Sequence, residues 1–150
     1  MRLPYNPDRK LITLVILAVI LNVGHTIDHI ARGDLHWPLT LDSAIFILIV
    51  LVIFTLAGAG LFLYIRNKVG PAFWAIVAGT GVAFGWLSHF SPFTDQRAQV
   101  IFSAYQSTVA GWLALACLFA LMVLLVMVTI YASYLWMLNQ QRQSSSVGRP

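Results

Sequence analysis

The chain has 150 residues, 59% of them hydrophobic and only 9% charged, with a formal net charge of +4. A water-soluble domain carries about 25% charged residues, so this surface must be covered by a lipid bilayer. The length suits one domain. The basic excess lies at the ends of apolar runs, where membrane topology requires it, so it does not indicate a nucleic-acid partner.

The first apolar run follows Arg9 and Lys10 and extends over about 11–31. It resembles a signal peptide, but it leads into His25, Asp28 and His29 with no small-residue cleavage site, so a retained first span is expected. Gly33 is suited to end that helix in the left-handed conformation. The second span is expected over about 43–65, with Thr40 or Asp42 as its cap. The third covers about 71–90, with Pro71 in its first turn, and the fourth about 108–138. All meet the ~20-residue length of a helix crossing hydrocarbon, and isolated spans in lipid must be helical to satisfy their backbone. The expected fold is an all-α, antiparallel four-helix transmembrane bundle, a single domain over 1–138. Between the third and fourth spans, Thr94–Gln106 is half polar, with Val100, Ile101 and Ala104 at helical spacing. It is expected either as a short helix lying on the surface or as an early start to helix four. The Gln- and Ser-rich tail 139–150 is expected to be disordered and cytoplasmic.

Orientation follows from Lys and Arg. Arg2, Arg9, Lys10, Arg66, Lys68, Arg142 and Arg149 fall at one end of the threaded spans, and Arg32 and Arg97 at the other. Seven against two places both termini in the cytoplasm. The aromatics Tyr5, Tyr64, Trp74, Tyr131, Tyr134 and Trp136 would then mark the inner interface, and Trp37, Trp86, Tyr105 and Trp112 the outer one. Cys117 is the only cysteine. It excludes a disulfide within the chain and reads as a small buried hydrophobe.

All four histidines and four of the five acidic residues gather at the outer end: His25, Asp28, His29, Asp34, His36, Asp42, His89 and Asp95. Small-residue stripes mark the faces that turn inward. Ala18, Asn22, His25 and His29 form one on helix one. Gly81, Gly85 and His89 form another on helix three. Helix two offers Gly58, Ala59 and Gly60, and helix four Ser103, Ser107 and Gly111. His25, His29 and His89 therefore converge inside the outer mouth.

Two imidazoles four residues apart on a helix can bind one metal ion. The zinc-protease pattern would need Glu where Thr26 stands, so that enzyme class is disfavoured. Asp28 is a further ligand or an orienter, and His89 supplies the ligand from across the bundle. Three histidines suit Zn, Fe, Cu or Ni better than Ca or Mg. Ligation needs neutral imidazoles, so binding is expected to weaken as pH falls through the histidine range near ~6.5.

Three other readings compete. The cluster could merely lock helices together, with Asp28, His29 and Arg32 satisfying one another, in an accessory subunit that joins a membrane-protein partner or a second copy of itself. A b-type haem could lie between His25 or His29 and His89. A His–Asp pair could perform acid–base chemistry on a lipid. His36 and Asp34 are expected to be solvated, and Arg32 to anchor at the interface.

The runs His25-x-x-Asp28-His29-x-x-Arg32-Gly33, Trp37-Pro38-Leu39-Thr40, His89-Phe90-Ser91-Pro92-Phe93 and Val109-Ala110-Gly111-Trp112-Leu113-Ala114 resemble a group of small bacterial four-span membrane proteins. The resemblance implies a bacterial inner-membrane location and supplies no activity, substrate or cofactor.

Overall fold

A computed structural model describes residues 6–94 and 96–147. Arg2, Tyr5, Asp95 and Arg149 lie outside the described residues. The protein is all-helical, 81% helix, without strands among those residues. Its helices are α1 (Arg9–Arg32), α2 (Leu41–Ile65), α3 (Pro71–His89), α4 (Ala98–Ser103) and α5 (Thr108–Val147). Four of them, α1, α2, α3 and α5, are long and apolar enough to cross a membrane, as a multi-pass protein contacting the bilayer requires. A four-helix bundle is consistent with their packing, and the short α4 leads into the last span.

Local chemistry sets the boundaries. Asp8 caps α1, its carboxylate accepting from the Leu11 N–H at 2.9 Å. Gly33, at φ 97°, closes α1 in the left-handed region, which costs a side-chain-bearing residue ~1 kcal/mol or more. Thr40, not Asp42, caps α2, and Pro71 opens α3. Against the expected disorder of the tail from residue 139, its described part, 139–147, is helical, and residues 148–150 lie outside the described residues. α5 continues as helix to Val147, on the order of 60 Å in length at 1.5 Å per residue. That exceeds the ~30 Å hydrocarbon layer, so its polar last turns extend beyond the membrane.

α5 is the packing axis: α3 and α1 lie along it, while α2 sits to the side against α1 and α3. One buried cluster holds Leu11 and Val15 from the start of α1, Tyr64 from the end of α2, Trp74 and Ala78 from the start of α3, and Val128 and Ala132 from the later part of α5. Starts and ends of successive spans meet there, so the spans alternate in direction. A second cluster at the opposite end joins Ile101 of α4 to Ala114, Leu115 and Leu118 of α5.

Two expectations are corrected here. Tyr64 and Trp74 are buried, 0% and 3% exposed, as core residues of the first cluster and not interface anchors. Their aromatic surfaces pack between helices because α2 and α3 cross closely at Gly60, where an added Cβ would lie 2.3 Å from the Phe73 ring. Ser103 and Ser107 are exposed, because α4 ends at Ser103 and breaks the stripe. Only Gly111 of that stripe makes a close approach, to Phe102, whose carbonyl would lie 3.0 Å from an added Cβ. The segment between the third and fourth spans is a separate short helix and not an early start to helix four; it lies at the surface, with Gln99, Val100 and Ser103 exposed and Ile101 turned into the core.

Candidate metal centre

His25 and His29 share one face of α1, as residues four apart must, and α3 ends on His89 beside them. His25 stands edge to face with both other imidazoles, its ring centroid 4.6 Å from that of His29 and 4.9 Å from that of His89, while His29 and His89 are tilted to each other at 5.5 Å. This orientation turns their Nε2 atoms to a common point. His25 Nε2 is 3.2 Å from His89 Nε2 and 3.2 Å from His29 Nε2. His25 and His89 are buried and His29 is half-buried.

The outer nitrogens are held by the polypeptide. Past Gly33 the chain turns back, with the Asp34 N–H on the His29 carbonyl at 3.1 Å. This brings Asp34 Oδ2 to 2.5 Å from His29 Nδ1. Past His89, the Thr94 hydroxyl donates to the Ser88 carbonyl and accepts from the Gln96 N–H. The resulting loop lays the Gln96 carbonyl 3.1 Å from His89 Nδ1. A carboxylate and a carbonyl can only accept, so both imidazoles carry their proton on Nδ1 and present a bare Nε2 to the centre. These tautomers are assigned from the partners.

His25 differs from the other two. Its Nδ1 is buried without a hydrogen-bond partner, and the nearest carboxylate oxygen, Asp28 Oδ2, is 3.8 Å away. Asp28 is engaged elsewhere. Oδ1 accepts from the Tyr105 hydroxyl at 2.6 Å, and Oδ2 from Arg32 Nε and Nη2 at 3.2 and 3.1 Å. Asp28 therefore stands outside the group of atoms that could hold an ion, which consists of His25, His29 and His89.

Arg32 is no interface anchor. Its side chain is 4% exposed, lies between Asp28 and Asp34, and donates to Gln96 Oε1 at 2.5 Å. Such a buried guanidinium needs carboxylate partners to offset its desolvation. Of the expected Asp28–His29–Arg32 network, the Arg32–Asp28 pair is present; Arg32 Nη2 lies 3.2 Å from His29 Nδ1, but with the proton on Nδ1 two donors face each other there. Asp34 belongs to the site, contrary to its solvated reading. His36 is exposed and stays apart, beside the Gly33 carbonyl and the Ser43 hydroxyl. Cys117 is half-buried and donates to the Leu21 carbonyl at 3.5 Å.

Gln96 and Tyr105 were not identified as site residues from the sequence. No periodicity ties Tyr105 to Asp28, which lies 77 residues away. Burial and the bond to Asp28 push the Tyr105 phenol up to about 12, so it donates throughout the neutral range. No family model, curated protein or solved structure matches this chain.

Proposed function

We propose that this is an inner-membrane protein that binds one transition-metal ion, Zn, Fe or Cu, through His25, His29 and His89 at its extracytoplasmic face. The observation that carries the reading is the spacing of the imidazole nitrogens. Ligand nitrogens ~2.0–2.1 Å from a tetrahedral metal stand about 3.3–3.4 Å apart, and here two Nε2 pairs stand at 3.2 Å. The Nδ1 contacts of His29 and His89 supply the outer hydrogen bonds that orient metal-binding imidazoles. Asp28, as orienter and not ligand, and Asp34 provide negative charge beside the cation.

A b-type haem is disfavoured. Axial imidazoles sit on opposite faces of a macrocycle, whereas these nitrogens are nearly in contact. The competing reading is an accessory subunit in which His25 and His89 only tie α1 to α3. Its specific support is that those two nitrogens are already within hydrogen-bond distance. Cytoplasmic termini follow from the charge bias, and the inner-membrane location from the family resemblance.

The test is elemental analysis of protein purified without a polyhistidine tag, before and after incubation with each metal. One equivalent of metal, lost in His25→Ala and His89→Ala, is the expected result. No metal under any condition, with both variants merely less stable, sinks the reading in favour of helix locking. A Soret band in the absorbance spectrum restores haem. A periplasmic signal from a C-terminal reporter reverses the orientation.

A further inference from the structure

His25 is set apart from the other two imidazoles by its second nitrogen. Its Nε2 faces two bare nitrogens, those of His29 and His89, at 3.2 Å each. It must therefore carry the proton on Nε2, which leaves Nδ1 bare, and Nδ1 has no hydrogen-bond partner. To bind a metal through Nε2, His25 alone must move its proton to Nδ1. The new Nδ1–H would face Asp28. The approach stops at 3.8 Å, because both carboxylate oxygens are engaged: Arg32 holds Oδ2, the one nearer His25, and the Tyr105 hydroxyl holds Oδ1.

We propose that Tyr105 is a positioning residue that holds Asp28 back from His25, making His25 the weakest of the three ligands and the metal an exchangeable one. This rests on the reading of the three histidines as ligands. His29 and His89 have acceptors on Nδ1 that raise the basicity of Nε2. His25 lacks one, so the metal is released from the His25 side. Tyr105 sits in the 104–107 connection between α4 and α5, outside the spans, and couples that connection to the buried centre. The ligand class is a labile transition-metal ion that is taken up and passed on, and not a permanent structural ion.

The test compares Zn(II) affinity and release rate in wild type and Tyr105→Phe, by competition with a chromophoric chelator. Removing the hydroxyl releases the hold on Asp28 Oδ1, so the carboxylate can turn toward His25 Nδ1 and accept from it. Such outer-shell bonds are worth ~10–100-fold in affinity, so Tyr105→Phe is expected to bind about tenfold more tightly and to release zinc more slowly. A merely structural role for Tyr105 predicts unchanged or weaker binding, and that result overturns the proposal.

If Tyr105→Phe does not fold, proton NMR of the zinc-loaded wild type decides. Two imidazole N–H signals shifted downfield by hydrogen bonding, with the third upfield and fast-exchanging, support it. Three equivalent downfield signals overturn it. A wild type that binds no zinc overturns the metal reading and this inference together. A wild type that binds zinc without the tightening overturns this inference alone.

Discussion

The two ends of the bundle use polar groups differently. At one end Asp8, Tyr64 and Tyr131 meet around the start of α1. The Asp8 N–H donates to the Tyr64 hydroxyl at 3.1 Å, and the Tyr131 hydroxyl to Asp8 Oδ1 at 3.3 Å. These bonds cap a helix and join spans over the cluster of Leu11, Val15 and Trp74. At the histidine end the bonds run away from a centre. Asp34, Gln96, Asp28, Arg32 and Tyr105 hold the periphery, and three Nε2 atoms remain turned toward one another. The first end reads as architecture, and the second is where the proposed metal site lies.

The sharpest separation of the two ends is expected from Trp74→Ala. This side chain is 3% exposed, and truncating a buried Trp costs ~3–5 kcal/mol. Unfolding in mixed micelles should show that loss, while the folded fraction keeps its metal stoichiometry. A folded variant without metal would mean that the two ends are not separable.

Asp34→Asn addresses the histidine end. It replaces the carboxylate held 2.5 Å from His29 Nδ1 by an amide. Zinc affinity should fall ~10–100-fold, about 1.4–2.7 kcal/mol. Affinity within a factor of two of wild type by chelator competition would remove Asp34 from the site.

Two glycines on one helix test the packing of α2. An added Cβ at Gly60 meets Phe73 at 2.3 Å and Trp74 at 3.2 Å, whereas at Gly58 it meets nothing within 4 Å. Gly60→Ala should cost about 1–3 kcal/mol through overpacking, and Gly58→Ala should be neutral or slightly stabilising. Equal melting temperatures for the two variants would contradict the α2–α3 contact.

The smallest effect concerns Tyr105 and pH. Its folded-state pKa is raised, to about 12, against ~10 for an unperturbed phenol. A raised pKa contributes stability that is fully present below ~10 and is lost as pH rises through about 12. Wild type should therefore lose stability across that window more steeply than Tyr105→Phe, read as the difference between their melting temperatures. Parallel curves would show that the bond to Asp28 contributes nothing.

The sequence by itself determined the spans, their number and most of their ends. Hydropathy over about twenty residues, Gly33, Thr40 and Pro71 act locally, and lipid leaves the backbone no alternative to helix. It also determined that His25, His29 and His89 would meet, because two stripes at helical spacing each point one way. The tertiary structure alone decided what surrounds them. Asp28 is adjacent to these histidines in sequence, yet its Oδ1 is taken by Tyr105, which the connection after α4 delivers from a distant segment. Asp34 and Gln96 reach the imidazoles only through the turns after Gly33 and Thr94. Tyr64 and Trp74, ordinary interface aromatics by position, are buried because α2 and α3 approach closely at Gly60. Helical periodicity reports which face a residue occupies. It carries no record of which loop folds over that face, since such contacts depend on backbone turns and on pairings between segments far apart in the chain.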